Sequence, residues 1–273
     1  PCGASPGPAQ TRPDDASAIT TGDPEMIIYE GPSLQDGARI VAIAVRSARN
    51  DKTGDMVQIY IMLADMDPRL ANKTGADISI CGDCIHKGTP IDPLDPDFLT
   101  RTFAKNRSCY VQIQQGVLIV WKHYKAGGYE RARDRREITE HARGAMVRFG
   151  TYGDPALVPS YIWDDVIAEA SGFTGYSHQA NNPRADYRPD LTMRSCDSEL
   201  EAWSAWSQGE RTFRVMAPHE KPVEGREIMC PAPRVKCTDC GLCAGTRKKA
   251  KSIAIYAHGA GKGHFNRAKE QTL

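Results

Sequence analysis

Cys230 and the run Cys237-Thr-Asp-Cys240-Gly-Leu-Cys243 bring four thiols together, three of them within seven residues. That density points to metal, because a disulfide framework spreads its cysteines and a zinc ribbon offers two separated Cys-x-x-Cys knuckles. Three cysteines at steps of three, with a glycine in the loop, let one segment wrap an iron–sulfur cluster, most simply 4Fe-4S. Cys230 would close the set, and structural zinc is the alternative. A second set is Cys81-Gly-Asp-Cys84-Ile-His86 with Cys109 further on. Three thiolates with an imidazole or an external ligand fit Cys3His zinc, a second iron–sulfur cluster with a non-cysteine ligand, or three buried thiols. An iron without a protein ligand can take up substrate or cofactor.

Polar residues also gather where apolar runs stop. Met146–Tyr152 runs into Gly153-Asp154-Pro155, a second run ends in Ser177-His178-Gln179, a third in Ser195-Cys196-Asp197, and a last in His258-Gly259. In a parallel α/β barrel the site forms at the carboxyl ends of the strands, so these stops belong to one rim. Asp154, His178 and Asp197 are the candidate catalytic groups, with His178 suited to move protons near neutral pH. Tyr152, Gly153, Ser177, Gln179 and Cys196 are candidates to contact a cofactor. Asp154 and either Asp197 or Ser198 also suit the simpler work of helix caps.

The elements that must position these groups read as follows. Residues 40–45 and 56–63 are β-rich runs flanking a turn at 50–54, which makes an N-terminal hairpin. Residues 129–145 carry mixed charges spaced to pair along a helix, a solvated face in the plainest reading. Strands then alternate with helices: 146–152, helix 159–170, 174–179, 191–196, helix 198–208, 211–216 and 252–257. Such alternation predicts parallel βα units, and the lack of a Gly-x-Gly-x-x-Gly turn favours a complete or partial (βα) barrel over a dinucleotide fold. The expected organisation is a flexible tail over 1–25 and one α/β domain over 26–273. That domain carries cysteine-rich metal-binding loops at 81–109 and in a C-terminal extension at 226–251.

The 273 residues can bury a large core, and a net charge of +1 gives no global pull toward nucleic acid or membrane. Nine clustered cysteines, with no apolar run long enough to span a bilayer and no signal peptide, suit a reducing cytoplasm, that of a host cell if the chain is phage-encoded. Lys262 is followed by glycine, so the glycine-containing tail is not a phosphate loop. Hydrolase triads, His-Glu-x-x-His and dinucleotide fingerprints are missing from the sequence, which leaves hydrolase and dehydrogenase readings little support.

The segments Lys52–Gln58, Cys81–Cys84, Gly150–Pro155, Thr174–Gln179 and the closing cysteine loop resemble an uncharacterised family of phage, prophage and mobile-element proteins. The resemblance covers about residues 35–260 and implies no activity by itself. More distantly, a partial barrel with an early cysteine cluster, a Gly-Asp-Pro strand end and a late cysteine-rich extension resembles radical S-adenosylmethionine enzymes with an auxiliary cluster. Those enzymes carry Cys-x-x-x-Cys-x-x-Cys in one loop, whereas Cys81, Cys84 and Cys109 are spaced differently. The resemblance implies one or two clusters, S-adenosylmethionine as a further cofactor, and a small-molecule or nucleotide substrate. The competing reading is a zinc-stabilised nucleic-acid-binding or replication-accessory protein whose Arg131, Arg133, Arg135, Arg136, Arg247, Lys248, Lys249 and Lys251 meet phosphates. A structural phage component that uses metal only to fold is the third.

Overall fold

The structure is a computed structural model that describes residues 25–47 and 53–271. The expected tail, Glu25 apart, and most of the 50–54 turn lie outside the described residues. The chain opens with β1 (Met26–Pro32), β2 (Arg39–Ser47) and β3 (Met56–Leu63), each antiparallel to the next. Four helices follow: α1 (Pro68–Thr74), α2 (Ile78–Cys81), α3 (Asp97–Thr100) and α4 (Leu118–Lys125). Next come β4 (Glu130–Arg131), α5 (Arg135–His141), β5 (Met146–Tyr152), α6 (Tyr161–Ile167), β6 (Gly172–Thr174) and β7 (Tyr176–Ser177). The last third holds β8 (Met193–Cys196), α7 (Glu199–Ser207), β9 (Thr212–Met216), β10 (Glu227–Met229), α8 (Cys237–Cys240), β11 (Ser252–Tyr256) and α9 (Lys262–Glu270).

Two mostly parallel sheets result, in the orders β4-β1-β2-β3-β5-β6 and β10-β11-β9-β8-β7. The expected hairpin is present as β2 and β3, with β1 added to its open edge. The expected continuous strand over 174–179 is corrected: β6 pairs with β5, β7 pairs with β8, and the chain changes sheets at Gly175 between them. A Cβ at Gly175 would lie 2.9 Å from the Phe149 Cβ and 3.2 Å from the Thr192 Cγ2, so only glycine lets the neighbouring segments close here. Freed from the ladder, the Gly175 amide donates to the Cys243 carbonyl at 2.7 Å, and the step between sheets thereby anchors the C-terminal cysteine loop.

The main core lies on the first sheet. β2 is buried along Ile40–Val45 and packs with β3, Val147, Phe149, Trp163 and Val166, as expected for a central strand with both faces covered. On β5, Val147 and Phe149 enter this core while Arg148 and Gly150 face the other way, into a cavity. Caps set the helix starts: Asp134 accepts from the Glu137 amide at 3.0 Å and Ser198 from the Glu201 amide at 3.2 Å. The expected helix over 129–145 is corrected to β4 followed by α5, because Asp134 caps the helix and the residues before it extend along β1. Its charges pair as expected, Arg136 with Glu140 at 2.9 Å and Arg133 with Glu137. Among the described residues no helix is long and apolar enough to cross a membrane.

Candidate functional site

Both cysteine sets open onto one cavity of about 180 Å³. Its wall carries Cys81, Cys84 and Cys109 as well as Cys230, Cys237, Cys240 and Cys243. Asp154, His178 and Asp197 line it too. None of the eight described cysteines forms a disulfide.

Local backbone bonds assemble the first set. Cys81 ends α2, the Cys84 amide returns to the Cys81 carbonyl at 3.2 Å, and the amides of Ser108 and Cys109 both donate to the His86 carbonyl, at 3.1 and 2.9 Å. This brings Cys109 beside a turn it is distant from in sequence. Burial pushes all three thiols up, Cys84 to about 11, which favours their neutral forms.

The second set rests on strand ends. Cys230 follows β10 and its amide donates to the Ala254 carbonyl of β11 at 2.8 Å, while Cys237 and Cys240 bracket α8. Arg211 reaches across the loop that follows, donating to the carbonyls of Leu242 at 3.0 Å, Ala250 at 2.9 Å and Lys251 at 2.6 Å, and to that of Ala244. Burial, against the nearby Arg148, pushes the Cys243 thiol up to about 12.

The predicted rim residues divide by the work they already do. Asp154 is fully engaged: Oδ1 accepts from Ser177 Oγ at 2.7 Å and the Ala156 amide at 3.0 Å, and Oδ2 from the His178 amide at 2.8 Å. Burial raises its pKa against these bonds, and its carboxylate sets the backbone of His178. Gly153 (φ 78°) turns the chain off β5 against Ile61. Gln179 holds the first cysteine loop through the Cys81 carbonyl at 2.9 Å. Cys196 packs against Ala202 and Ala205 beneath α7, and burial pushes its thiol up to about 12.

His86 turns Nδ1 to Ser108 Oγ at 2.8 Å and Nε2 to Asp197 Oδ1 at 2.7 Å. His178 meets the edge of the His86 ring at 5.4 Å, with its Nε2 4.0 Å from the same Asp197 oxygen. Burial opposes ionisation of Asp197, but the His86 hydrogen bond and the two imidazoles outweigh it and hold the carboxyl below its ordinary value. The structure thus brings together His178 and Asp197, both read as strand-end residues, and His86, which the sequence grouped with Cys81, Cys84 and Cys109 and which the structure also keeps beside that set.

Sequence reasoning missed two polar groups on this wall, Arg148 and Asp77, and had named Tyr152 and Ser195 only by their strand-end positions. Arg148 is buried, donates from Nη2 to Tyr110 Oη at 2.7 Å and Tyr176 Oη at 2.6 Å, and faces Cys237 and Cys243 electrostatically. It has no carboxylate partner among the described residues. Among the described residues Tyr152 Oη, Ser195 Oγ and Asp77 Oδ1 are buried without a hydrogen-bond partner, and burial pushes the Asp77 pKa up to about 6. Strand alternation outward from Phe149 was the signal that could have found Arg148.

The basic residues of the nucleic-acid reading are partly spent. Arg131 pairs with Glu30, Arg133 with Glu137, Arg135 with Asp165, Arg136 with Glu140, and Arg247 with Asp190. Compared with protein-family models, with curated proteins and with solved structures, the chain finds no significant match in any of the three.

Proposed function

We propose that the chain is an iron–sulfur enzyme of the redox or radical type, its two sheets forming the halves of an open (βα) barrel around a shared reaction cavity. The observation that carries this reading is the convergence of seven thiols on one cavity wall. A purely structural metal site is expected to be closed off by its own loop, and neither set is sealed from the other.

The sequence spacing of the closing thiols, three within seven residues around a glycine, supports a cluster over single zinc ions. Cys230, Cys237, Cys240 and Cys243 would hold one cluster and Cys81, Cys84 and Cys109 a second. Bound there, such clusters supply one-electron transfer, and a site with three thiolates leaves an iron for an external ligand such as S-adenosylmethionine.

The chain's own groups then orient what enters. Arg148, positioned by Tyr110 and Tyr176, supplies a buried positive charge beside Cys237 and Cys243, and the orphaned Tyr152, Ser195 and Asp77 oxygens offer hydrogen bonds to a polar ligand. A small molecule or nucleotide suits this lining. A phage or mobile-element setting rests on the sequence resemblance alone.

Purification without oxygen, a visible spectrum, and iron, sulfide and zinc analysis test the proposal. A brown protein with a broad band near ~400 nm and about eight irons per chain is expected. Colourless protein holding zinc at both sets overturns it, and salt-sensitive DNA binding by that protein would select the nucleic-acid reading.

A further inference from the structure

We propose that His86, His178 and Asp197 form a binding site for a single divalent first-row metal ion, separate from both cysteine sets. One nitrogen from each imidazole and one oxygen from the carboxylate lie within 4.8 Å of one another. Ligands about 2.1 Å from an ion stand roughly 3.0 Å apart in octahedral and 3.4 Å apart in tetrahedral geometry. The two separations measured to Asp197 Oδ1, 2.7 Å from His86 Nε2 and 4.0 Å from His178 Nε2, bracket that range. An ion would draw His178 Nε2 toward Asp197 Oδ1 by about 0.6–1.0 Å and take the place of the hydrogen bond between His86 Nε2 and that oxygen.

Each ligand is held from behind. Ser108 Oγ engages the far nitrogen of His86 at 2.8 Å, the outer-shell contact that fixes a ligating imidazole and aims its other nitrogen. Asp154 Oδ2 accepts from the His178 amide at 2.8 Å and sets its place after β7. Asp197 directly follows β8, and its amide donates to Glu201 Oε2 at 2.6 Å. Lys269, which donates to the Asp197 carbonyl and pairs with Glu220 at 3.3 Å, is a neighbouring cation with which the ion must compete.

Two imidazoles and one carboxylate select iron(II), manganese(II) or zinc among biological ions, and three protein ligands leave further positions open toward the cavity. The site would thus present a metal-bound ligand to the chamber onto which the cysteines open.

Manganese(II) is the probe, because thiolates compete for it poorly. Titrated into the anaerobically purified protein and followed by the electron paramagnetic resonance of free manganese, it should fill one site per chain. Affinity should fall at least tenfold in His178→Ala and in Asp197→Asn, and about ten- to a hundredfold in Ser108→Ala. His178→Gln replaces His178→Ala if the latter does not fold, as judged by circular dichroism. Absence of manganese uptake by the unaltered protein, or equal uptake by the folded variants, overturns the proposal. The readout does not depend on iron content, so loss of the cluster reading would leave it standing.

Discussion

The fully buried amide of Gln179 donates from Nε2 to the Cys81 carbonyl at 2.9 Å, tying the chain just beyond β7 to the first cysteine loop across 98 positions. Its Oε1 accepts from Asn182 Nδ2 at 2.8 Å, so both ends of the amide are used. Gln179→Ala removes both bonds, but the Cys81 carbonyl keeps the Cys84 amide at 3.2 Å and Asn182 Nδ2 keeps Gln35 Oε1 at 2.7 Å, so the cost is that of the two lost hydrogen bonds, on the order of 1–3 kcal/mol in all. The denaturation midpoint should fall accordingly. Metal should be lost from the Cys81, Cys84 and Cys109 set while the C-terminal set keeps its own. A variant with unchanged metal content would show that the loop does not depend on this contact.

Arg148 brings a positive charge to the wall beside Cys237 and Cys243, with no carboxylate among the described residues to neutralise it. In a poorly solvated cavity such a charge favours the reduced form of a cluster bound there. Arg148→Met should therefore lower the midpoint potential of the C-terminal cluster, and Arg148→Lys should lower it much less. Protein-film voltammetry on the two variants separates charge from packing. Equal potentials in all three proteins would remove Arg148 from any tuning role.

The sequence carried the alternation from β5 onward, because its strands are short apolar runs bounded by turn residues and its helices begin at recognisable caps such as Ser198. The two groups of cysteines are likewise visible as local clusters in the sequence, whereas their opening onto one cavity is not. What it could not carry was contact between distant segments. Nothing near His86 marks it as the partner of Asp197, 111 positions away, and nothing near Gly175 announces a change of sheet. β1, α1 and α9 were missed: β1 is made by pairing with β2, and α9 has a locally polar, glycine-containing sequence whose buried anchor is Phe265 alone.

Asp77 should give the protein a pH-dependent stability of its own. Burial lifts its folded pKa from 3.8 to about 6, against a hydrogen bond from Asn72. The folded state thus holds the proton more tightly than the unfolded chain. The stability this confers is fully present below about pH 4, is lost as pH rises toward 6, and changes little beyond. The difference is on the order of 3 kcal/mol. Asp77→Asn keeps an acceptor for Asn72 and removes the titration, so it should be the more stable protein at pH 7–8 and lose its advantage near pH 4. Parallel urea curves for the two proteins at each pH would defeat this assignment.

Arg211 should decide whether the C-terminal cysteine loop holds its shape. Its guanidinium bridges the carbonyls of Leu242 and Ala244, just around Cys243, to those of Ala250 and Lys251 at the entry to β11. A cation that satisfies one buried and three part-buried carbonyls at once cannot be replaced by an apolar chain without loss, at a cost on the order of 1–3 kcal/mol for the buried Ala244 carbonyl and less for those that water can reach. The loss should be local, because the first sheet has its own core. Arg211→Met should therefore lose about half of the iron, matching Cys240→Ala, while Cys84→Ala loses the other half and leaves the C-terminal set loaded. Iron and sulfide analysis of the three variants, beside the far-ultraviolet circular dichroism of each, reads this directly. Full iron in Arg211→Met would mean that the cysteines hold the loop without the arginine, and global unfolding would mean that the two halves of the chain do not fail separately.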